Sequence, residues 1–438
     1  MTKPVNHSRH VATGPWYRQV SKEQWKAFNA AFWGWVLDGF DFTLLMFVLI
    51  DIQESFTVDS ALAGALGTVT MMTRLVGGVA AGTAADRWGR KGPLMVSILW
   101  FSIFSLLSGF STSYAMLFAF RALFGIGMGG EYAAGVPLAM EHWPTHLRGI
   151  ASGILQGGFS WGYILSALAF RYLYPLFNTQ PGLGWRALFW IGALPALLVL
   201  WIRSGVSESP IWLERRRLLS QTRNVEPISL LRVFHRDLLG TTIQTSLLIS
   251  AFMVSVYSIS FWYPTYLRQS GLEPFWYIVA LNLGNALGAT AWGRMSETRL
   301  GRRGSVTAAG LLAVVMIPAY MFATNSALRL AGALLMGFTG PGMGGAVPTY
   351  LSERFPTAVR GVGPGFAYHA GAGIGSITPM LIGLLHDRGM ALNIAMSLLM
   401  VGATTLAIAI MWLGPETRGR EFRPIDSDES EPRSIPPA

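Results

Sequence analysis

The chain has 438 residues, of which 52% are hydrophobic and 13% charged. Its mean hydropathy of +0.42 exceeds what a soluble core of this size needs, so an ordinary globular domain is excluded and an all-α membrane protein is indicated. The absence of cysteine excludes disulfides and thiolate metal sites, and the formal charge of +10 is assigned by where the cations fall rather than by its size.

The stretch up to Lys26 is polar, and the first apolar run is too long for a cleavable signal core. Apolar spans then follow at about 27–50, 61–85, 92–111, 114–140, 150–174, 186–202, 239–263, 275–295, 305–323, 328–350, 361–385 and 391–413. Twelve transmembrane helices put both termini on one side. Among Lys and Arg, only Arg171, Arg186, Arg268, Arg329 and Arg388 occupy the loops and span ends opposite the termini, and Arg74 and Arg121 lie deep inside spans. All other cations share the side of the termini, which marks that side as cytoplasmic and argues against nucleic acid as partner. The expected organisation is a tail over 1–26, a six-helix bundle over 27–203, a cytoplasmic linker over 204–238, a second bundle over 239–413 and a disordered tail over 414–438.

The first span carries Asp38 and Asp41, which stand on one side of a helix because residues three apart are neighbours. A carboxylate at mid-membrane costs a few kcal/mol, roughly 2.5–3.5, unless it faces a cavity or a partner. Arg74 in the second span, Arg121 and Glu131 in the fourth make three acids and two arginines. One acid therefore lacks an arginine of its own. That odd carboxylate is the natural proton carrier, with Asp41 placed first, Glu131 second, and Asp38 expected to pair with arginine. A released arginine would bind a substrate carboxylate bidentately, and a static structural network is the competing reading. Gln156, Tyr163, Gln244, Tyr257, Asn282, Asn285, Tyr368 and His369 are the other polar candidates; each serves as ligand contact or as interhelical glue.

The two halves echo each other. Gly82, Asp86, Arg87, Gly89 and Arg90 after the second span match a segment with Glu297 and Arg302 after the eighth, and Glu141 with Arg148 after the fourth match Glu353 with Arg360 after the tenth. Asp86 and Glu297 are 211 apart and Glu141 and Glu353 are 212 apart, which implies a duplicated six-helix unit. These loops either latch the halves at the cytoplasmic side or serve topology and tight turns alone.

Gly82-x-x-x-Asp86-Arg87-x-Gly89-Arg90-Lys91, Arg121-x-x-x-Gly125-x-Gly127-x-Gly129 and Glu208-Ser209-Pro210-x-Trp212-Leu213 resemble the signature motifs of the major facilitator superfamily. The resemblance implies two pseudo-symmetric six-helix bundles around a central cavity, working by alternating access. Leu37-Asp38-Gly39-Phe40-Asp41-Phe42 resembles the first-helix signature of the sialate:proton and aromatic acid:proton symporter families, and Gly130-Glu131-Tyr132 and Trp143-Pro144-Thr145 are more similar to the former. That resemblance implies a proton-coupled importer of a small organic anion in an inner membrane, sialic acid or a monocarboxylate such as lactate, driven by the proton gradient without a cofactor. The linker is too short for the two extra spans of sialate members, and His369 replaces their asparagine, which favours a smaller acid. An aromatic-acid symporter is the alternative and would need a more aromatic pocket; efflux antiport and a non-transporting sensor come behind. No nucleophile–base set, metal-ligand spacing or Walker motif points to an enzyme. The expected assembly is a monomer among membrane lipids.

Overall fold

The computed structural model describes residues 15–144, 147–221, 230–356, 359 and 363–419. Twelve helical spans run back and forth: α1 Lys22–Phe47, α2 Ser60–Trp88, α3 Lys91–Gly109, α4 Tyr114–His142, α5 Arg148–Tyr172, α6 Leu183–Gly205, α7 Arg236–Gln269, α8 Phe275–Met295, α9 Gly301–Phe322, α10 Ser326–Arg354, α11 built from Gly363–Gly375 and Thr378–Asp387, and α12 Leu392–Leu413. Eight are apolar and long enough to cross a bilayer; α4, α5, α8 and α11 fall short. Glycine and polar side chains lower the hydropathy of α4, α5 and α8, and α11 is divided into pieces of 13 and 10 residues, each too short to cross alone.

Local chemistry sets the starts. Ser21 and Gln24 form a reciprocal capping box that begins α1, Asp59 accepts from Leu62 N (2.8 Å) at α2, and Ser113 accepts from Met116 N (3.3 Å) at α4. α2 and α4 then cross so closely that a Cβ on Gly129 would lie 1.9 Å from the Arg74 carbonyl. The same device recurs in the second half, where a Cβ on Gly288 of α8 would lie 2.1 Å from the Phe338 carbonyl of α10. Small residues bring these backbones together, as membrane helices do when lipid offers no hydrophobic drive.

The duplicated loops lie at the end of the molecule that carries the termini. Arg90 Nη1 pairs with Asp86 (2.6 Å) and Nη2 with Glu141 (3.2 Å), while Arg302 pairs with Glu297 (2.7 Å) and Glu353 (2.8 Å). A third echo went unread in the sequence. Glu208 accepts from Arg90 N (2.8 Å) and its neighbour Ser209 donates to Glu141, as Glu416 accepts from Arg302 N (2.9 Å) and Thr417 donates to Glu353 (2.6 Å). Among the described residues, these bonds stay within one half, so they clasp each bundle to itself. Arg87 instead lies over the Trp88 ring at 5.7 Å, and a Cβ on Gly82 would meet only Ala133 at 3.8 Å. The Arg148 side chain and Arg360 lie outside the described residues.

Three segments read as tail or linker are structured in part. Trp16–Arg18 forms a 3-10 turn whose Trp16 packs 6.4 Å from Trp143, and α1 begins at Lys22 rather than 27. Pro210–Gln221 is a helix fastened by Trp212 Nε1 donating to the Asp86 carbonyl (2.9 Å). Residues 414–419, expected to be disordered, begin with the Glu416–Thr417 clasp, which buries Thr417 completely.

The polar ties seen between the halves fall at the opposite end or near mid-span. Arg268 pairs with Asp51 (2.6 Å), Arg171 pairs with Glu273 (3.0 Å), and Asp387 accepts from Ser60 N (3.0 Å) and Ala61 N (2.7 Å) at the start of α2. Nearer the middle, Tyr163 donates to the Ser260 carbonyl (2.8 Å) and Asn285 to Ser160 (3.1 Å).

Candidate functional site

A small pocket lies between the halves, lined by Met71, Arg74 and Leu75 of α2, Tyr257 of α7, and Tyr368, His369 and Ala372 of α11. Arg74 stands midway along α2, so the cavity is at mid-span. Its guanidinium lies over the Trp35 ring at 5.0 Å and the Tyr132 ring at 6.0 Å, a geometry that stabilises the cation without consuming its hydrogens. Nε and Nη2 have no hydrogen-bond partner.

Two carboxyl groups sit within electrostatic reach of Arg74, Asp38 from α1 and Glu131 from α4. Neither pairs with it. Both oxygens of Asp38 and Oε2 of Glu131 are buried without a hydrogen-bond partner. Gly34 leaves the room Glu131 needs, since a Cβ there would lie 2.7 Å from Oε1. The expected Asp38–arginine ion pair is therefore absent: Asp38 faces Arg74 across a gap, and a cation so close to two buried acids leaves one acid uncompensated. Buried polar groups with no partner are rare in folded proteins and mark a place where a ligand, a proton or water completes the set.

Asp41 and Arg121 belong to a different place. Asp41 accepts from Ser105 of α3 and is fully buried, its Oδ2 unpartnered. Arg121 donates from Nε to Ser108 (3.2 Å) and is sandwiched between Phe189 (4.1 Å) and Phe124 (4.6 Å). α6 breaks beside them between Ile191 and Pro195, and a Cβ on Gly192 would lie 2.5 Å from Asp41 Oδ1. This cluster is walled by α1, α3, α4 and α6 of one half. Arg121, expected to reach substrate, is thus enclosed within the first bundle and does not line the cavity.

Of the remaining candidates, Tyr368, His369 and Tyr257 line the cavity. Gln156 is outside the lining and donates to Tyr132 Oη (3.4 Å). Gln244 is held in the second bundle by Tyr350 (3.4 Å) and the Ile410 carbonyl (3.0 Å), and Asn282 bonds to Ile278 of its own helix (2.9 Å). Tyr163 and Asn285 tie the two halves to each other. Sequence reasoning overlooked Trp35 and Tyr132, although Trp35 stands one turn before Asp38 and Tyr132 follows Glu131 directly. Among the described residues no group of metal-ligating side chains occurs.

Two helical bundles related by duplication, with a charged pocket between them at mid-span, define a membrane transporter. Residues 31–379 match the Major Facilitator Superfamily, and the chain belongs to that superfamily. It is 34% identical to the probable 4-methylmuconolactone transporter of Cupriavidus pinatubonensis, over 96% of this chain and 97% of that protein. To the sialic acid transporter NanX of Escherichia coli it is 31% identical, over 93% of this chain and 98% of the relative. Among solved structures, the xylose transporter XylE from E. coli superposes with a TM-score of 0.73 at 17% identity, covering 92% of this chain and 100% of that one, which is a likeness of fold. The chain is a transporter, not an enzyme.

Proposed function

We propose that this protein is a proton-coupled importer of a small organic carboxylate in a bacterial inner membrane, with both termini cytoplasmic. The observation that carries the reading is the unequal charge beside the pocket: two buried carboxyl groups, Asp38 and Glu131, near the single guanidinium of Arg74, none of the three hydrogen-bonded to another. Arg74 offers the fork that a carboxylate needs, and a proton on the Asp38–Glu131 pair removes the repulsion that would oppose the anion. Proton and substrate thus favour each other's entry, which is the requirement for symport. Asp41, matched one to one with Arg121 away from the cavity, becomes a structural charge in this reading.

With the terminal side assigned to the cytoplasm by its cations, ties concentrated at the opposite end correspond to an inward-facing conformation. The name of one relative, a sialic acid transporter, supports an acid as cargo. The test is uptake of labelled lactate, N-acetylneuraminate and benzoate into proteoliposomes with and without an inward proton gradient. Gradient-driven accumulation of at least one of them, lost in Arg74→Lys, is expected. Accumulation indifferent to the gradient, or an Arg74→Lys variant with wild-type affinity, overturns the reading.

A further inference from the structure

Resting on the carboxylate reading of the same pocket, we propose that Trp35 is the positioning residue for Arg74: its indole face carries the guanidinium and keeps it from closing on Asp38 and Glu131, so that the fork stays free for a substrate carboxylate. Arg74 is buried with two acids in electrostatic reach, yet it forms an ion pair with neither, and its Nε and Nη2 have no hydrogen-bond partner. A guanidinium and a carboxylate left to themselves close into a short, charge-assisted, often bidentate contact. Something opposes that collapse here. The guanidinium carbon stands over the Trp35 ring, 5.0 Å from its centre, and indole is the aromatic surface that attracts a cation most strongly. The attraction draws on the charge of the guanidinium and spends none of its N–H groups.

The surroundings of Trp35 fix the ring in place. The side chain is buried and stands one turn before Asp38 on α1. Tyr132 of α4 packs against it at 4.9 Å and Phe159 of α5 at 5.4 Å, with planes tilted by 51° and 49°. Gly158 admits the indole where α1 and α5 cross, since a Cβ there would lie 3.1 Å from Trp35 Cδ1. Trp35 Nε1 is itself buried and has no hydrogen-bond partner among the described residues, a cost that phenylalanine or leucine at this position would avoid. An indole kept at that cost serves by its face rather than by its N–H or its bulk. Trp35 does not line the pocket, so its effect on substrate passes through Arg74 and not through contact.

The experiment is a double-mutant cycle on binding. Affinities of lactate, N-acetylneuraminate and benzoate for the purified full chain in detergent are measured by calorimetry in the wild type, Trp35→Phe, Trp35→Met, Arg74→Lys and the double variant Trp35→Met/Arg74→Lys. For whichever acid the wild type binds most tightly, Trp35→Met is expected to weaken binding about tenfold, while Trp35→Phe, which keeps a ring face for the cation, stays within about threefold of the wild type. Lysine offers a point charge and no fork to hold in place, so in the Arg74→Lys background Trp35→Met should change the affinity less than about twofold. Trp35→Leu replaces the methionine variant should that one not fold. Unchanged affinity in Trp35→Met, an equal loss in Trp35→Phe, or the same loss in both Arg74 and Lys backgrounds overturns this inference, and weakened binding in Arg74→Lys then leaves the carboxylate reading standing. Failure of all three acids to bind the wild type overturns both.

Discussion

Asp51 and Arg268 come from opposite halves of the molecule and meet in an ion pair of 2.6 Å at the end away from the termini. Arg268 also donates to the Phe47 carbonyl (2.6 Å), and Tyr174 donates to Asp51, so the pair is fixed on both sides. Both side chains are largely shielded from solvent, at 20% and 14% exposure, which lifts the pair above an ordinary surface ion pair. Arg268→Gln should shift the equilibrium toward the conformation open at that end by roughly 1–3 kcal/mol, about fivefold to 150-fold. The chain has no cysteine, so spin labels on introduced cysteines across the Asp51–Arg268 gap report the populations directly. Unchanged distance distributions would show that the pair has no part in closure.

Asp387 contributes to the same closure by another route. Its carboxylate accepts the first two backbone N–H groups of α2, so the second half supplies a cap, and a charge favourable to the helix dipole, to a helix of the first. Asp387→Ala should cost about 0.5–2 kcal/mol in the closed conformation alone, because the open conformation never makes these bonds. The expected result is a population shift in the same label pair, additive with that of Arg268→Gln only if the two ties act independently.

The two charge clusters of the first half give opposite expectations. Glu131→Gln removes the second acid and leaves Asp38 alone to balance Arg74, so the uncompensated carboxyl that would carry the proton is gone, and gradient-driven accumulation should vanish while exchange of substrate across the vesicle membrane persists. Asp41→Asn leaves Arg121 buried without its compensating acid, so it should lower stability by roughly 3 kcal/mol or more, and the double variant Asp41→Asn/Arg121→Gln should recover much of that loss. Thermal unfolding in detergent and proteoliposome uptake separate these effects. A well-folded Asp41→Asn variant that has lost accumulation, beside a Glu131→Gln variant that keeps it, would return the proton to Asp41.

How far the sequence speaks depends on the residue. Twelve spans, the duplication and the presence of Asp38, Asp41, Arg74, Arg121 and Glu131 inside them were all legible, because hydropathy, repeat spacing and the cost of a buried charge are properties of the chain itself. Which acid faces which arginine was not. Asp38 and Asp41 differ by less than one helical turn, about 4.5 Å of rise, yet one neighbours Arg74 and the other turns toward α3 and α6. Arg121 and Glu131 share α4 but stand about 15 Å apart along it. Helix rotation and depth decide such matters, and both are set by packing partners that no local pattern names. The same holds for Gln244 and Asn282, whose side chains look like ligand contacts until their neighbours Tyr350 and Ile278 are seen.

The duplicated clasps give a last prediction. Gly89 has φ +103° and a Cβ there would lie 2.4 Å from Glu208 Oε2; Gly301 has φ +67° and a Cβ would lie 2.6 Å from Glu416 Oε2. In each case glycine lets the chain turn into the next helix with its first N–H groups against a carboxylate, and in each case that carboxylate comes from the segment that follows the last helix of the same half. For Glu416 the backbone N–H groups it receives outweigh the cost of burial, and its carboxyl is held below the ordinary glutamate range, so it stays ionised at neutral pH. Its contribution to the clasp is complete above the usual glutamate pKa and is lost as pH falls through the depressed one. Gly301→Ala should strain the turn and displace Glu416, costing roughly 1–3 kcal/mol, with Gly89→Ala behaving alike in the other half. Hydrogen exchange at Arg302 and Arg303 N–H measures the damage. Protection should fall in Gly301→Ala and in Glu416→Gln, and in the wild type it should fall on acidification; protection unchanged in all three would mean that the clasp does not hold the start of α9.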